Sequence, residues 1–385
     1  MRNRLHPAVL LLSAAILLRF AYAAAAGEGE KSAGLRHSLK LLDEKEVASD
    51  AWYPMAFFAR GGGILLNASG TKLCSRDGGK TWSPTTVDIG PAVEAHDGSI
   101  VSVTGAAKLR DKPGGDEPVA YQFRVSRAAS FQAVLDGKSQ DEFVGVSIPG
   151  LDEVYGDDNE RHTALVDHGL VRMPNGDLVV SMYGVFKGDR TPVPYFVKEF
   201  RQYRSWACIS KDNGRTWSFQ STIASVNEHP LPELAEGYCE PDLAVVGDKR
   251  LLCVMRSGGS PGEQPKRYTP LVACISDDGG VTWNAPKTVY RWGVFPRLLK
   301  MSNGLVVCLT GRPGFFLLTT GDGGATWSKP EFIQEADGPW GKAPSGYGSI
   351  GEVEPGVLGV IYDIYENDRR IVKMRRYSVE VDSQP

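Results

Sequence analysis

Ser210-Lys-Asp-Asn-Gly-Arg-Thr-Trp217 occurs, with few changes, four times in this 385-residue chain. The other copies are Ser75-Arg-Asp-Gly-Gly-Lys-Thr-Trp82, Ser276-Asp-Asp-Gly-Gly-Val-Thr-Trp283 and Thr320-Gly-Asp-Gly-Gly-Ala-Thr-Trp327. Each copy lies between two short apolar runs, which is typical of the turn of a β-hairpin. The glycines supply positive φ, the aspartate can accept backbone N–H bonds from two residues on, and the tryptophan covers the turn. We therefore expect the four aspartates to be structural rather than catalytic: Asp77, Asp212, Asp278 and Asp322.

A second pattern lies upstream of the hairpins: a marker residue, Pro or Gly, an apolar strand, a turn glycine and a second apolar strand. It occurs six times, and the marker residues are Tyr53, Gly90, His168, Glu240, Phe295 and Tyr347. Four units precede a hairpin, and the second precedes Phe123-Arg-Val-Ser126, a strand leading to a degenerate one. Such repeats override the two or three domains that length alone suggests. They predict an all-β, six-bladed β-propeller with four-stranded antiparallel blades, a single domain over residues 27–385.

The two ends of the chain complete this scheme. After Tyr347 only three strands can be counted, the last being the alternating run Ile371–Val381. We expect residues Leu35–Leu42 to supply the missing outer strand, so that no large sheet edge stays unpaired. The alternative is an N-terminal arm that is open or folds separately.

Residues 1–26 have the features of a secretory signal peptide. Arg2 and Arg4 precede an apolar core from Ala8 to Leu18, and alanines suitable for cleavage follow. No other segment approaches the roughly 18 apolar residues of a spanning helix. We expect an exported protein without a membrane span in the mature chain. The formal charge of −3 gives no electrostatic support to a nucleic-acid partner.

The six cysteines and six histidines indicate neither a disulfide framework nor a metal site. The cysteines recur at equivalent positions of different repeats, which are far apart in a propeller, so we expect them to be small buried apolar residues. Only Cys253 and Cys274 are close enough in sequence for a pair to be considered. The histidines lack metal-ligand spacing and no phosphate-loop pattern occurs, so we expect no cofactor.

The six marker positions are where the chemistry is expected. The innermost strands of a propeller all run in the same direction, so the residues at their starts converge around one end of the central channel. The second strand of each blade returns to this face, where it ends at Tyr183, Arg256, Arg312 and Tyr362-Asp363. We expect one pocket to hold six of these side chains: Glu240, Arg256, Arg312, Tyr347, His168 and Tyr53.

These segments resemble the sialidase (neuraminidase) superfamily, whose Asp-box is similar to the repeated turn. The run from Glu240 to Arg256 looks like the segment with the family's glutamate and one arginine of its substrate-binding triad. Arg312 lies where the next triad arginine falls, and Gly346-Tyr347-Gly-Ser-Ile-Gly resembles the segment of the tyrosine nucleophile. The likeness covers residues 50–380 and is strongest from 207 onward. It implies an exo-glycosidase that removes terminal sialic acid, or a related acidic sugar, from glycans with retention.

The resemblance also implies the roles of single residues. Tyr347 is the nucleophile, Glu240 its base, and Arg256 and Arg312 hold the carboxylate of the substrate, with no metal or organic cofactor. The physical logic can be stated independently, because a carboxylate nucleophile would meet like charge at the anomeric carbon of a sialoside, roughly 4 kcal/mol at 4 Å with an effective dielectric near 20. A neutral phenol avoids that repulsion and needs a base.

The first two units depart from the family. Sialidases open their first blade with Phe-Arg-Ile-Pro, whereas this chain has Ala51-Trp-Tyr-Pro54, and no Asp or Glu occurs between Tyr53 and Arg76. The aromatic pair suits stacking on a sugar ring better than holding a carboxylate. The third unit offers replacements, with Asp167 or His168 as acid/base group, His168 also as a substrate contact, and Arg161 as a further anion contact.

Two alternatives of function stay open. Asp167 and Glu240 can act as a carboxylate pair on a different glycoside, or the propeller can bind carbohydrate without turnover. Structural interpretations of single residues also stay open: Glu240 and Arg256 as an ion pair lining the channel, Arg312 as a loop arginine, and Tyr347 as a channel plug. Asp242 and Arg297 occupy equivalent positions in adjacent units, and we expect them to be structural partners.

Overall fold

The computed structural model describes residues 37–108, 118–155, 161–193, 201–231, 235–258, 270–335 and 343–381. The expected signal segment 1–26 lies outside the described residues and stays a prediction. Residues 156–160 of the acidic loop before Arg161 lie outside them as well. Within the described ranges, no helix combines the length and the apolar character needed to cross a membrane.

The described chain is built almost entirely of short strands. The first nine are β1 (His37–Ser49), β2 (Met55–Ala59), β3 (Gly63–Ala68), β4 (Thr71–Ser75), β5 (Ser83–Pro84), β6 (Ala92–Glu94), β7 (Ile100–Lys108), β8 (Ala120–Ala128) and β9 (Gln140–Val146). A short helix, α1 (Phe131–Leu135), lies between β8 and β9. The next ten are β10 (Val154–Tyr155), β11 (Arg161–His162), β12 (Leu170–Arg172), β13 (Leu178–Gly184), β14 (Arg204–Ser210), β15 (Ser218–Ala224), β16 (Cys239–Val245), β17 (Leu251–Arg256), β18 (Leu271–Ser276) and β19 (Lys287–Tyr290). The last seven are β20 (Val294–Lys300), β21 (Val306–Gly311), β22 (Phe315–Thr320), β23 (Glu331–Gln334), β24 (Ser349–Glu354), β25 (Val357–Glu366) and β26 (Arg369–Val381).

These strands form six four-stranded antiparallel sheets, which confirms the predicted six-bladed propeller. Blades 1 to 5 are β2–β5, β6–β9, β12–β15, β16–β19 and β20–β23, each in sequence order. The inner strands of the blades are β2, β6, β12, β16, β20 and β24. The small hairpin β10–β11 stands between blades 2 and 3. We call the end of the propeller where the inner strands begin the site face.

The sixth blade takes strands from both ends of the described chain. Its order is β1-β26-β25-β24, so β1 forms the outer strand that the sequence predicted. The pairing of β1 with β26 is antiparallel and runs from His37 opposite Val381 to Ser49 opposite Ile371. The strand continues past the predicted end at Leu42, since pairing with β26 extends to Ser49, whereas the predicted start at Leu35 lies outside the described residues.

The four Asp-box turns are held by the same hydrogen bonds, as expected for a structural aspartate. Asp212 accepts bonds from the Ser210 hydroxyl (2.9 Å), the Thr216 backbone N–H (2.8 Å) and the Thr216 hydroxyl (2.6 Å). The N–H that is bound lies four residues on, not two as the turn pattern suggested, because the aspartate spans the whole turn. The Trp217 indole donates to the Gly214 carbonyl (3.2 Å) and so covers the turn. The Thr216 hydroxyl bond is the main reason why the pKa of Asp212 falls to about 2.

Replacing Asp212 with alanine should lower the free energy of unfolding by about 1–2 kcal/mol, because three hydrogen bonds of the turn are lost and their donors turn to water. Urea unfolding followed by circular dichroism measures this loss. The control is Asp277→Ala in the third Asp-box, an exposed aspartate whose surface ion pair with Arg250 (3.3 Å) should contribute little. Loss of activity without loss of stability in Asp212→Ala would contradict the structural role.

Blade 2 lacks an Asp-box and turns its outer strands differently. After β8, Ser130 caps helix α1 by accepting a hydrogen bond from the Ala133 N–H (3.1 Å). The helix takes the place of the turn between the third and fourth strands. This fits the degenerate unit expected after Phe123-Arg-Val-Ser126.

The cores of the blades are apolar, and the six cysteines belong to them. All six are buried and free. Cys253 and Cys274, the pair considered from the sequence, lie directly opposite each other on β17 and β18 without a disulfide. They pack in the apolar core between blades 3 and 4, as small apolar residues do.

Candidate active site

Three of the six marker residues have a left-handed backbone. Tyr53, Glu240 and Phe295 have φ of 54°, 52° and 48°, a region that non-glycine residues rarely occupy. In blades 4 and 5 the pairing of the first two strands slips at the marker, between Cys239 and Asp242 and between Val294 and Arg297. Such bulges interrupt the alternation of a strand and redirect a side chain. Glu240 consequently reaches from blade 4 to blades 5 and 6.

Tyr347 and Glu240 form a hydrogen-bonded dyad. The Tyr347 hydroxyl donates to Glu240 Oε1 over 2.8 Å, and the Phe295 backbone N–H donates to Glu240 Oε2, also over 2.8 Å. Glu240 is 3% exposed, whereas Tyr347 is partly exposed. Burial, followed by the Glu240 charge, raises the pKa of Tyr347 well above its usual value. The phenol is therefore protonated at neutral pH and directs its proton at a carboxylate.

Arg256 lies between two carboxylates. Its guanidinium is 2.8 Å from Glu236 Oε2, and its Nε is 2.9 Å from Glu240 Oε2. The Nε contact is ionic only, because the N–H is not aligned for a hydrogen bond. Both acidic side chains are 4% exposed and that of Arg256 is 12% exposed. Arg256 thus contacts two buried carboxylates, whose negative charges together exceed its single positive charge.

Aromatic rings and a second arginine surround Tyr347. The Phe295 ring lies 4.4 Å from the Tyr347 ring, and Tyr53 contacts it edge-on at 5.2 Å. The guanidinium carbon of Arg312 lies 5.2 Å from the ring centre, and Arg312 Nε donates to the Ser345 carbonyl (2.9 Å). These contacts fix the Tyr347 ring while its hydroxyl stays directed at Glu240.

Asp167 stands beside the dyad at the start of blade 3. Burial, and next the Glu240 carboxylate, raise the pKa of Asp167 to about 7, although the Tyr183 hydrogen bond and the charges of Arg256 and Arg297 lower it. Asp167 is partly exposed as a whole residue, while its carboxyl group is buried. Asp167 is therefore a carboxyl group that can hold or release a proton near neutral pH.

His168 is buried beside the channel cavity rather than exposed at the dyad, and its expected role as a substrate contact stays a prediction. It is 4% exposed, packs against the Phe295 ring (4.3 Å), and its Nε2 lies 2.8 Å from the Pro296 carbonyl oxygen. A carbonyl only accepts, so Nε2 carries the proton. Burial lowers the pKa of His168 well below its usual value, so the ring is neutral. It joins blade 3 to blade 5 and is unsuited to the acid/base role.

Asp242 and Arg297 form the predicted structural pair. Arg297 Nε lies 3.7 Å from Asp242 Oδ2, which also accepts the Leu298 N–H (2.7 Å). Together with Asp167 and His168, this pair lines a channel cavity of about 850 Å³. Tyr347 and Glu240 are not among the lining residues of that cavity.

The remaining candidates are placed as follows. Tyr53 is 45% exposed at the rim of the pocket. Tyr362 points away from it, since its hydroxyl donates to Glu44 of the outer strand β1 (2.8 Å), which corrects its placement on the site face. Arg161 forms an ion pair with Glu153 (3.3 Å), and its expected contact with an anion stays a prediction. Across the described residues, no group of three or more His, Cys, Asp or Glu side chains is arranged to hold a metal ion.

Comparison with known families matches the BNR/Asp-box repeat at residues 73–84, the first of the four turns. The chain is a six-bladed propeller that carries a BNR/Asp-box repeat. No curated protein matches this sequence significantly.

Solved structures share the propeller fold at low identity. A protein of unknown function from Dyadobacter fermentans has a TM-score of 0.64 and 15% identity, over 89% of this chain and 99% of that one. A Hadza microbial sialidase has 0.57 and 16%, over 85% and 65%. An alpha-L-arabinofuranosidase from Fusarium graminearum has 0.56 and 14%, over 88% and 98%. The BNR/Asp-box propeller thus has a sialidase-like fold, and glycoside hydrolases of two kinds are among its structural neighbours.

Sequence reasoning missed three polar residues of this BNR/Asp-box propeller: Glu236, Ser345 and Arg370. Ser345 accepts the Tyr347 N–H (3.0 Å) and itself donates, through its N–H, to the buried Asp363 (3.0 Å). Arg370 binds the same carboxylate (3.1 Å). Glu236 precedes its marker by four residues and falls outside the repeat. The sequence offered no signal for Glu236, because the pairing considered for Arg256 involved Glu240 alone.

Proposed function

We propose that this BNR/Asp-box propeller is a retaining exo-glycosidase that removes a terminal sialic acid, or a related acidic sugar, from glycans. One observation carries the proposal: the Tyr347 hydroxyl donates to Glu240 over 2.8 Å, beside Arg256 and Arg312. A phenol paired with a buried carboxylate is an activated nucleophile next to its base.

In the first step, the Tyr347 oxygen attacks the anomeric carbon while Glu240 accepts the phenol proton. The bond from the anomeric carbon to the glycosidic oxygen breaks, and that oxygen takes a proton from a general acid. The products are a free alcohol and a sugar bound covalently to Tyr347.

In the second step, water attacks the same carbon and loses a proton to the group that acted as acid. The Tyr347 oxygen leaves and recovers its proton from Glu240, so both groups return to their starting states. Two inversions at one carbon give overall retention.

Arginine and tyrosine together suit a sugar that carries a carboxylate on its anomeric carbon. Arg312 and the remaining N–H groups of Arg256 offer paired donors to such a carboxylate. The neutral phenol approaches it without charge repulsion. Arg256 contacts the carboxylates of both Glu240 and Glu236, so its positive charge partly offsets theirs next to the substrate anion.

Asp167 is the acid/base group in this proposal. It replaces the aspartate that the first blade lacks, and its pKa of about 7 allows it to give and regain a proton near neutral pH. It lies close enough to Glu240 for the two charges to interact.

Asp167→Asn should reduce kcat about 100-fold or more on a natural glycan, because the leaving oxygen is no longer protonated. On an aryl glycoside, whose leaving group needs little protonation, cleavage should be affected far less. Wild-type activity should fall as the pH rises through about 7, since the acid must be protonated, and the variant should lose this alkaline limb. Initial rates from pH 5 to 9 on both substrates test this.

The matched control is Asp177→Asn, an aspartate in the β12–β13 turn whose Oδ2 accepts a hydrogen bond from the Asn175 side-chain amide (2.9 Å). It should keep the wild-type profile. An unchanged alkaline limb in Asp167→Asn would remove Asp167 from the mechanism.

A second candidate function is hydrolysis of a neutral glycoside by Asp167 and Glu240, with Tyr347 only orienting Glu240. The favouring observation is the charge of the site, where Glu236 and Glu240 already balance Arg256. The first-blade arginine of sialidases is also replaced by Trp52 and Tyr53. An arabinofuranosidase among the structural neighbours is compatible with this reading.

Release of a fluorophore from aryl α-sialosides and aryl α-L-arabinofuranosides tests the two candidates. Cleavage of the sialoside alone supports the acidic-sugar enzyme. Cleavage of the arabinofuranoside alone supports the second candidate. Failure of a wide aryl glycoside panel would contradict both and favour a propeller that binds carbohydrate without turnover.

A further inference from the structure

The rim of the site carries two adjacent exposed aromatic residues. Trp52 and Tyr53 are 39% and 45% exposed, although Ala51 before them is fully buried. Within the described ranges, Phe143 on β9 is the only other large aromatic residue with comparable exposure. Neighbouring exposed aromatics on a rim are typical of a binding surface.

The backbone beneath these rings is fixed rather than loose. Tyr53 has a φ of 54°, a strained value for a non-glycine residue. The Ser69 hydroxyl donates to the Trp52 carbonyl (2.7 Å), and the Ser349 hydroxyl of blade 6 donates to the Pro54 carbonyl (3.0 Å). These hydrogen bonds therefore fix the backbone in a conformation in which both rings are exposed to solvent.

The aromatic pair adjoins the dyad. Tyr53 contacts the Tyr347 ring edge-on at 5.2 Å. The Arg370 guanidinium lies 5.9 Å from the Trp52 ring and is anchored by the buried Asp363 (3.1 Å). One buried carboxylate thus positions both the loop before Tyr347 and the cation beside Trp52.

The connections on the site face are short in blades 1 and 6. Only Ser69 and Gly70 join β3 to β4, and only Asn367 and Asp368 join β25 to β26. The corresponding connections of blades 3 and 4 are much longer, since they run from Val185 to Tyr203 and from Ser257 to Pro270. A glycan held at Tyr347 can extend over blades 1 and 6, directly across Trp52.

We propose that Trp52 and Tyr53 form a platform for a second sugar ring of the glycan, on the leaving-group side of Tyr347. The apolar C–H face of a pyranose or furanose ring packs on the Trp52 indole, whose π face is electronegative. The Arg370 guanidinium donates to hydroxyl groups at the edge of that ring. The platform rests on the proposed function for its location but binds its sugar without turnover.

The experiment is calorimetry on the full chain with Tyr347→Phe, so that ligand is not consumed. The probes are sialyllactose against free sialic acid, and arabinotriose against arabinose. The oligosaccharide of one pair should bind more tightly than its monosaccharide. Adding Trp52→Ala should weaken the oligosaccharide at least about tenfold and leave the monosaccharide unchanged, whereas Trp52→Phe should keep most of the affinity.

Phe143→Ala in the same background is the control, because it also removes an exposed aromatic residue, and it should bind like its parent. Equal loss of monosaccharide and oligosaccharide in Trp52→Ala would overturn the platform, as would no loss, or no oligosaccharide binding at all. If the wild-type protein binds an oligosaccharide through Trp52 but does not hydrolyse it, the platform is supported and the proposed activity is refuted.

Discussion

Tyr347→Phe should lower kcat on the cleaved glycoside by at least about 1,000-fold, because the nucleophile is removed while the ring stays in place. The stability should change little, since Phe keeps the packing against Phe295 and Tyr53. Steady-state release of the fluorophore, with thermal unfolding of the same samples, measures both effects. The matched control is Tyr290→Phe on the outer strand β19, which should keep full activity.

Covalent trapping separates the two candidate functions. A fluorinated sialosyl fluoride should label Tyr347, identified by mass spectrometry of peptides, if the tyrosine is the nucleophile. A fluorinated arabinofuranosyl reagent that labels Glu240 or Asp167 instead, in a Tyr347→Phe variant that still turns over, would exclude the tyrosine mechanism.

Arg256→Met should lower the free energy of unfolding by about 3–5 kcal/mol, because two buried carboxylates lose their shared cation. Glu236 and Glu240 cannot recover this loss by hydration, since each is only 4% exposed. Urea unfolding at pH 7 measures the deficit. The loss of stability should be smaller in acid, because protonation of Glu236 and Glu240 removes their unpaired negative charges.

The control for this change is Arg250→Met, whose partner Asp277 lies at the surface with a side chain 76% exposed. Breaking that pair should cost less than about 1 kcal/mol. Adding Glu236→Gln to Arg256→Met should restore part of the stability. Similar free energies of unfolding for the two arginine variants would contradict a larger contribution of the buried ion pairs to stability.

The fold could be predicted from the sequence because its determinants are local and repeated. The turn at Asp212 and its copies each join the third and fourth strands of a blade. Each copy therefore marks one blade without any tertiary information. The placement of β1 could also be predicted, because only three strands can be counted after Tyr347 and the last blade needs a fourth. The helix α1 was not foreseen, because a missing Asp-box does not say what replaces it.

The site was less predictable, because side-chain direction depends on backbone details that a repeat does not encode. Glu240 and Tyr347 were brought together as expected, since both stand at marker positions. His168 stands at a marker too, but its ring lies between blades 3 and 5, against Phe295 and the Pro296 carbonyl. Tyr362 points away because β25 alternates without interruption. Glu236 lies before the repeat begins and has no counterpart in other blades.

The pairing of β1 with β26 places the two ends of the propeller side by side, with His37 opposite Val381. A short linker could therefore join them, and new termini could be opened between β5 and β6 without cutting a blade. In that permuted protein every blade would come from one continuous segment, so ring closure would no longer depend on the first strand made meeting the last. Comparing its refolding rate with that of the natural order would give the kinetic cost of closing the ring from its two ends.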